Sequence, residues 1–422
     1  MNNYYFLFIF LFCPTLFFSQ TVTNFVGICS ENSPGLVNGS GITVRFYNPR
    51  AIAIDKNGII YVADSNNNCV RKISSNGVVS TVLGSSSIHP RGIAVDTLGN
   101  IYISDTGNHR IQKINAGGSV AQTLAGTGVA GFNNGIGSSA EFNSPTGIAV
   151  DATGNIFVAD TFNHKIRKID TNGIVTTFAG SSIGNSTGIG TDAQFSQPNG
   201  LVIDGLGNIY VADTNNHQIK KINSTGSVTN YVGNGFAGNE DSEGFGTSVS
   251  LYQPLALTID NENNIYFISR NTIKKISAIQ VEVTNFAGYP NLIWGGCVNG
   301  FGIDAIFLLP HGIAVNPLGN LFVADTGNNT IRKIAVNNLS LLELDNDKIV
   351  RIYPNPAGNN LFVSVQDNDT TKVSIFDLDG RLLLHNEFHQ NINLDISDFS
   401  KGVYLIKISI NNTILSKKII KN

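Results

Sequence analysis

At 422 residues the chain has room for two or three domains. Only 14% of its residues are charged and the formal net charge is −3, so there is no basic surface of the kind that holds nucleic acid. The 44 glycines and many β-branched runs exclude a helical bundle and point to an all-β protein with many tight turns.

The first element, MNNYYFLFIFLFCPTLFFSQ, is apolar from Tyr4 to Phe18 except for Thr15. About 15 apolar residues fall short of the roughly 20 needed to span a bilayer and suit the core of a signal peptide, residues 1–19, cut after Ser19. No later segment is apolar for long enough to span, so export without a retained membrane segment is expected. Cleavage leaves Cys29, Cys69 and Cys297. An odd count in an exported protein leaves at least one thiol free or paired with another chain. A Cys29–Cys297 bridge and three free thiols both stay open.

Residues 20–336 are dominated by a repeat. SPTGIAVDATGNIFVADTFNHKIRKID at 144–170 recurs as HPRGIAVDTLGNIYISDTGNHRIQKIN at 89–115 and QPNGLVIDGLGNIYVADTNNHQIKKIN at 197–223. Three weaker copies bring the total to six, opening at Pro49, Pro90, Pro145, Pro198, Pro254 and Pro310, spaced 41 to 56 residues apart. In each copy a short apolar run (GIAVD) reads as a strand buried on both faces, DATGN as a turn, and NIFVAD, HKIRKI and IVTTFAG as three more strands. Four short antiparallel strands per period of this length are the pattern of a propeller blade. Six blades can close into a ring that leaves no long sheet edge open. The sixth copy lacks a fourth strand, and TVTNFVG at 21–27 matches that strand in sequence. The N-terminal strand is therefore expected to complete the last blade.

The run D-T-x-N-H-x-I-R-K-I, from Asp160 to Ile169, resembles the NHL repeat family, and the resemblance extends over 21–336. It implies a six-bladed propeller, in a family whose members include extracellular sensor domains, lyases and RNA-binding regions. The fifth copy departs from the pattern: ISRNTI at 268–273 has neither the Asp-Thr nor the His, and its turn is expected to be tighter.

The histidines of the motif, His109, His164 and His217, give way to Asn68 and Asn329 in copies one and six. Asparagine can replace histidine as a hydrogen-bonding cap but not as a general base. A motif repeated around a ring also does not converge on one reacting atom. These histidines, with Asp64, Asp105, Asp160, Asp213 and Asp325, are expected to fix turns, so no catalytic or metal-ligating residue is assigned. The basic pairs that follow, such as Arg71-Lys72 and Arg167-Lys168, are expected to be solvated stems lying over apolar blade surface.

Positions that vary at a common place in the fold are free to serve a ligand. The residue after each proline is such a place: Arg50, Arg91, Thr146, Asn199, Leu255 and His311 are expected to ring the mouth of a central channel, on the face that also carries the long loops between copies. Arg50 and Arg91 are neighbours and give that mouth one cationic side able to hold an anionic group. No Gly-x-Ser-x-Gly, His-Glu-x-x-His or Cys-x-x-Cys motif is present. No cofactor is expected, although calcium held by loop carbonyls stays open.

After a linker at 337–347, residues 348–422 alternate apolar and polar with turns between, as in a small β-sandwich. Tyr353-Pro354-Asn355-Pro356, Gly380-Arg381, Gly402-Val403-Tyr404 and Lys417-Lys418-Ile419-Ile420 resemble the C-terminal sorting domain of the type IX secretion system. That resemblance implies a Bacteroidetes-type route across the outer membrane, contact with the secretion machinery through this domain, and its removal on export. The expectation is thus a secreted or cell-surface monomer that binds a protein or glycan through its loop-rich face. The alternative is a metal-dependent lyase or hydrolase working at the central channel.

Overall fold

The computed structural model describes residues 19–84, 88–238, 243–290, 295–337, 350–353, 357–365, 370–377, 381–410 and 413–421. The signal-peptide segment 1–18 and nearly all of the expected linker lie outside these residues. The chain divides into two units, one of them Gln20–Val336 and the other containing the C-terminal residues from Asn337.

In the first unit the six copies form six antiparallel sheets. Repeat 3 shows the plan: Pro145–Val150, Ile156–Asp160, Lys165–Ile169 and Ile174–Ala179 pair in sequence order from the inside outward. The second strand is buried along its whole length in every repeat, because it is covered by a neighbouring sheet on each face. A two-residue strand, Gly135–Ile136, adds a fifth member outside Ile174–Ala179. It comes from the long loop before the repeat. Repeat 2 follows a short loop, and its sheet has four strands among the described residues. The strand Ser19–Val26 joins the sheet of repeat 6, between Thr330–Asn337 and Gly300–Phe301. This is the arrangement of a β-propeller.

The core is divided among six apolar clusters, each shared by two consecutive sheets. One joins Tyr102 and Ile111 of repeat 2 to Phe142, Ile156 and Val158 of repeat 3. Another joins Phe322 and Ile331 of repeat 6 to Phe46 and Val62 of repeat 1. Each such side chain, fully buried, contributes about 1.5–3 kcal/mol. Where the inner strands meet, the backbones touch. A Cβ on Gly92 would lie 1.8 Å from the Thr146 carbonyl oxygen, and one on Gly147 2.1 Å from that of Asn199. Glycine is thus a packing requirement at positions 92 and 147, whereas repeats 1 and 5 carry Ala51 and Ala256 at the corresponding place.

The second unit has a sheet of Val350–Tyr353, Asn360–Val365 and Asn391–Asp395, and another of Leu382–Phe388, Thr371–Phe376, Gly402–Ile410 and Thr413–Lys421. Leu361, Val363 and Leu394 from the first pack with Val373, Ile375, Ile406 and Ile408 from the second in one core, as the period-two pattern requires. No helix among the described residues is long and apolar enough to cross a membrane.

Candidate functional site

The turn between second and third strands sets the geometry of the inner rim. In repeat 3, Asp160 ends its strand, Thr161–Asn163 form one 3-10 turn, and His164 adopts the left-handed conformation with φ 56°. Each side chain has a separate task. Asp160 accepts the Asn143 backbone N–H at 2.7 Å and the Asn163 amide at 2.8 Å. Asn163 also donates to the Gly131 carbonyl at 2.6 Å, pinning the preceding long loop beside the turn. The Thr161 hydroxyl donates to the Pro198 carbonyl of the next repeat at 2.8 Å. His164 Nδ1 accepts the Gln197 N–H at 3.1 Å, again in the next repeat.

These links recur. Thr106 donates to Pro145, Thr214 to Pro254, Ser65 to Pro90, and Thr326 of repeat 6 to Pro49 of repeat 1. His109 and His217 accept from Ser144 and Gln253, and Asn329 Oδ1 accepts from Asn48 at 2.9 Å. Asn68, with its amide oriented by its hydrogen bonds, faces the Ile88 carbonyl at 3.0 Å. Repeat 5 keeps the link despite its shorter turn: Asn271 Oδ1 accepts the Leu309 N–H at 2.9 Å. Burial holds His164 and His217 below the usual imidazole range, which keeps Nδ1 free of a proton and able to accept. The motif is a stitch between repeats, and its ring nitrogen is occupied.

The expectation for the basic pairs needs correcting. Their first members are not solvated: Arg71, Arg167, Lys220, Lys274 and Arg332 are fully buried. Arg167 donates to Asp160 at 2.7 Å, to the carbonyls of Glu141 and Asn133 at 2.9 and 3.0 Å, and to Asn134 Oδ1 at 2.9 Å. Its guanidinium lies over the Phe142 ring, 5.2 Å from the centroid. Arg71 and Arg332 repeat this with Asp64 and Phe46, and with Asp325 and Phe307. The reason is that both faces of a third strand are covered, one by a sheet and the other by the returning loop. The second members do behave as expected, for example Lys168 and Lys221, which lie over the rings of Phe157 and Tyr210.

The Thr–Pro stitches position the residue after each proline. Arg50, Arg91, Thr146, Asn199 and His311 line one cavity of about 110 Å³, to which all six inner strands contribute. Leu255 does not join them; Ala256 and Leu257 stand there, and Leu255 packs against the apolar cluster between repeats 5 and 6, as its hydrocarbon side chain favours. Arg50 Nε donates to Asn48 Oδ1 at 2.9 Å, and His311 Nδ1 is 2.8 Å from the Leu309 carbonyl. The Thr146 hydroxyl is shared between Thr161 and the Asn199 carbonyl. Burial and the Arg91 charge lower Arg50 to about 10, and burial with Arg50 and Arg91 lowers His311 to about 4. Among the described residues no cluster of three or more His, Cys, Asp or Glu is placed to hold a metal ion.

Cys29 and Cys297 are joined in a disulfide with Cα atoms 5.9 Å apart, resolving the question left open above. Cys69 is free and buried, and burial pushes its thiol up to about 12, out of reach of thiolate chemistry at neutral pH. The hydroxyl stitches, the Asn271 link and the buried arginines escaped the sequence reading. A signal for the arginines was present: a large apolar residue three positions before the opening proline accompanies every buried cation (Phe46, Phe142, Phe195, Leu251, Phe307), whereas repeat 2 has Ser87 there and Gln112 in the cation's place.

Known proteins match these features segment by segment. The NHL repeat matches residues 88–114, 195–222 and 307–334, and the teneurin NHL domain matches 37–89 and 131–188. The secretion system C-terminal sorting domain matches 351–422. The Arabidopsis thaliana protein SUPPRESSOR OF QUENCHING 1, chloroplastic, is 28% identical over 330 residues, covering 74% of this chain and 27% of that protein. Human teneurin-1 is 29% identical over 259 residues, 54% of this chain and 9% of its own length. The chain thus spans about a quarter or less of these relatives. Among solved structures, an auxiliary nutrient binding protein from Bacteroides thetaiotaomicron superposes with a TM-score of 0.60 at 20% identity, over 75% of this chain and 76% of that one. Its Bacteroides ovatus counterpart gives 0.59 at 18%, over 75% and 77%. These two share the fold. The chain therefore carries NHL repeats in a β-propeller and ends in a type IX secretion sorting domain, which marks it for export to the outer surface or the extracellular space.

Proposed function

We propose that residues 20–336 form a closed, six-bladed propeller that, once exported, binds a protein or glycan ligand on its loop-bearing face, at the mouth formed by Arg50, Arg91, Thr146, Asn199 and His311. The observation that carries this reading is the division of labour among side chains. The repeated residues are consumed by turns and stitches. At the mouth, the Arg91 and Asn199 side chains make no hydrogen bond or ion pair with the described residues. The sixth-to-first contacts, Thr326 with Pro49 and Asn329 with Asn48, support closure. Exposed aromatic residues in the pinned loops, Phe132 and Phe236, offer further contact area on the same face. The naming of two structural neighbours as nutrient binding proteins is in keeping with a binding role.

The test is a screen of the secreted protein against arrayed glycans and cell-surface proteins. A binder weakened by the double change Arg50→Ala and Arg91→Ala, at unchanged melting temperature, supports the reading. A folded protein that captures nothing at micromolar concentration refutes it.

A further inference from the structure

Two arginines face one small cavity, and the geometry around them specifies more than a generic ligand. We infer that Arg50 and Arg91 hold the anionic group of an acidic sugar residue, whose hydroxyls reach Asn199 and His311 across the same cavity. This rests on the binding reading above and narrows it to a ligand class.

Four observations lead there. First, Arg50 and Arg91 come from adjacent inner strands and repel one another, and neither has a carboxylate partner among the described residues. Elsewhere in this unit the corresponding cost is met: Arg71, Arg167, Lys220 and Arg332 each have an aspartate within 3.1 Å. Arg50 is half-buried and Arg91 exposed, and a guanidinium pair left without a counter-charge in a concave place is the arrangement that an oxyanion completes through charge-assisted, bidentate hydrogen bonds. Second, the size is selective. At about 110 Å³ the cavity is smaller than the roughly 150 Å³ cavity that admits benzene. It takes a carboxylate together with the sugar atoms and hydroxyls nearest it, and leaves the rest of the ligand at its open mouth. Third, the remaining polar groups suit hydroxyls. Asn199 presents an amide with no partner among the described residues. His311 is kept neutral by burial and by the two arginines, and with Nδ1 engaged at Leu309, Nε2 is left as an acceptor. Fourth, the rest of the lining is aliphatic, with Ile52, Ile93, Ile148, Leu201, Leu257 and Ile313 beside the polar groups already named, so those groups are the ones left to meet a ligand's polar atoms.

The experiment is isothermal titration of the secreted full-length protein with glucuronate, glucose, acetate and inorganic phosphate. Glucuronate is expected to bind, with acetate and phosphate at least tenfold weaker and glucose weaker still. Arg91→Ala should reduce glucuronate affinity at least tenfold and melt at or above the wild-type temperature, since the repulsion with Arg50 is relieved. Lys56→Ala, which removes the same charge at an exposed turn, should bind as wild type. Asn199→Ala should weaken glucuronate and leave phosphate unchanged. Glucose binding as well as glucuronate, or glucuronate binding that ignores Arg91→Ala, overturns the inference. Acetate or phosphate equalling glucuronate overturns the sugar assignment. If the array screen finds a ligand that the arginine variants bind normally, this inference falls while a binding role elsewhere on the face stands. An array that stays empty removes the underlying reading instead.

Discussion

The buried arginine of repeat 3 gives the sharpest test of how the propeller is held. Replacing Arg167 with leucine removes four donors' bonds at once and leaves the Asp160 carboxylate, wholly buried, with only the Asn143 N–H and the Asn163 amide. The Glu141 carbonyl loses its partner as well, and the Asn133 carbonyl keeps only the Glu141 N–H. Removing one member of a buried ion pair costs about 3–5 kcal/mol. For a folding unit spanning Gln20–Val336 the unfolding entropy is roughly 0.7 kcal/mol/K, so the melting temperature should fall by about 4–7 °C. Arg167→Gln should be milder, because repeat 2 uses glutamine in this place: Gln112 donates to Asp105 at 2.7 Å. It would still leave the Glu141 carbonyl unpaired, at about 1 kcal/mol. Thermal unfolding followed by circular dichroism measures the loss, and limited proteolysis within 131–142 reports whether the loop has come away. A loss under about 1 kcal/mol for Arg167→Leu, or one no larger than for Lys168→Leu, would refute the claim that this cation anchors loop to blade.

Three more outcomes follow from the same geometry. Gly92→Ala places a methyl 1.8 Å from the Thr146 carbonyl oxygen and should cost about 3 kcal/mol or more in urea unfolding, whereas Gly205→Ala, with nothing within 4 Å, should change stability by about 0.5 kcal/mol or less. The double change Cys29→Ser and Cys297→Ser frees a loop with a separation of 268 residues and should lose on the order of 5 kcal/mol, seen as earlier unfolding under oxidising conditions that vanishes when both proteins are reduced. His311 moves from its ordinary 6.5 to about 4 on folding, so the unfolded chain binds the extra proton between these values. The stability it contributes is complete above pH 6.5 and is lost as pH falls towards 4, and His311→Asn should flatten that part of a melting-temperature profile.

Much of the architecture was legible in the residues, because the opening prolines, the D-T-x-N-H runs and the alternating C-terminal segment report local chemistry directly. The tasks within the motif were less so. The sequence reading placed the aspartates and histidines in turns but could not say that His164 reaches Gln197 in the following repeat, since that bond depends on how two sheets stack. Arg167 looked solvent-facing because strand alternation counts two faces without knowing that a returning loop covers one of them. The strand Gly135–Ile136 is too short to carry any period. Asn271 was hidden by a turn that loses residues and so slips out of alignment with Asn329. At the mouth, five of the six positions named from the sequence do line one cavity, and Leu255 departs because an apolar side chain gains more by packing sideways.

The strand at 19–26 lies between segments from the far end of the repeat region, and this orders events in time. It is among the first parts of the mature chain to be made, yet its sheet neighbours, 300–301 and 330–337, are made some 300 residues later. Until they arrive, the strand at 19–26 has bare edges that another copy could pair with, and pairing across such sequence distances is slow. Assembly of this sheet therefore waits on its final segment, and a nascent chain stopped short of residue 330 would be left sticky and incomplete.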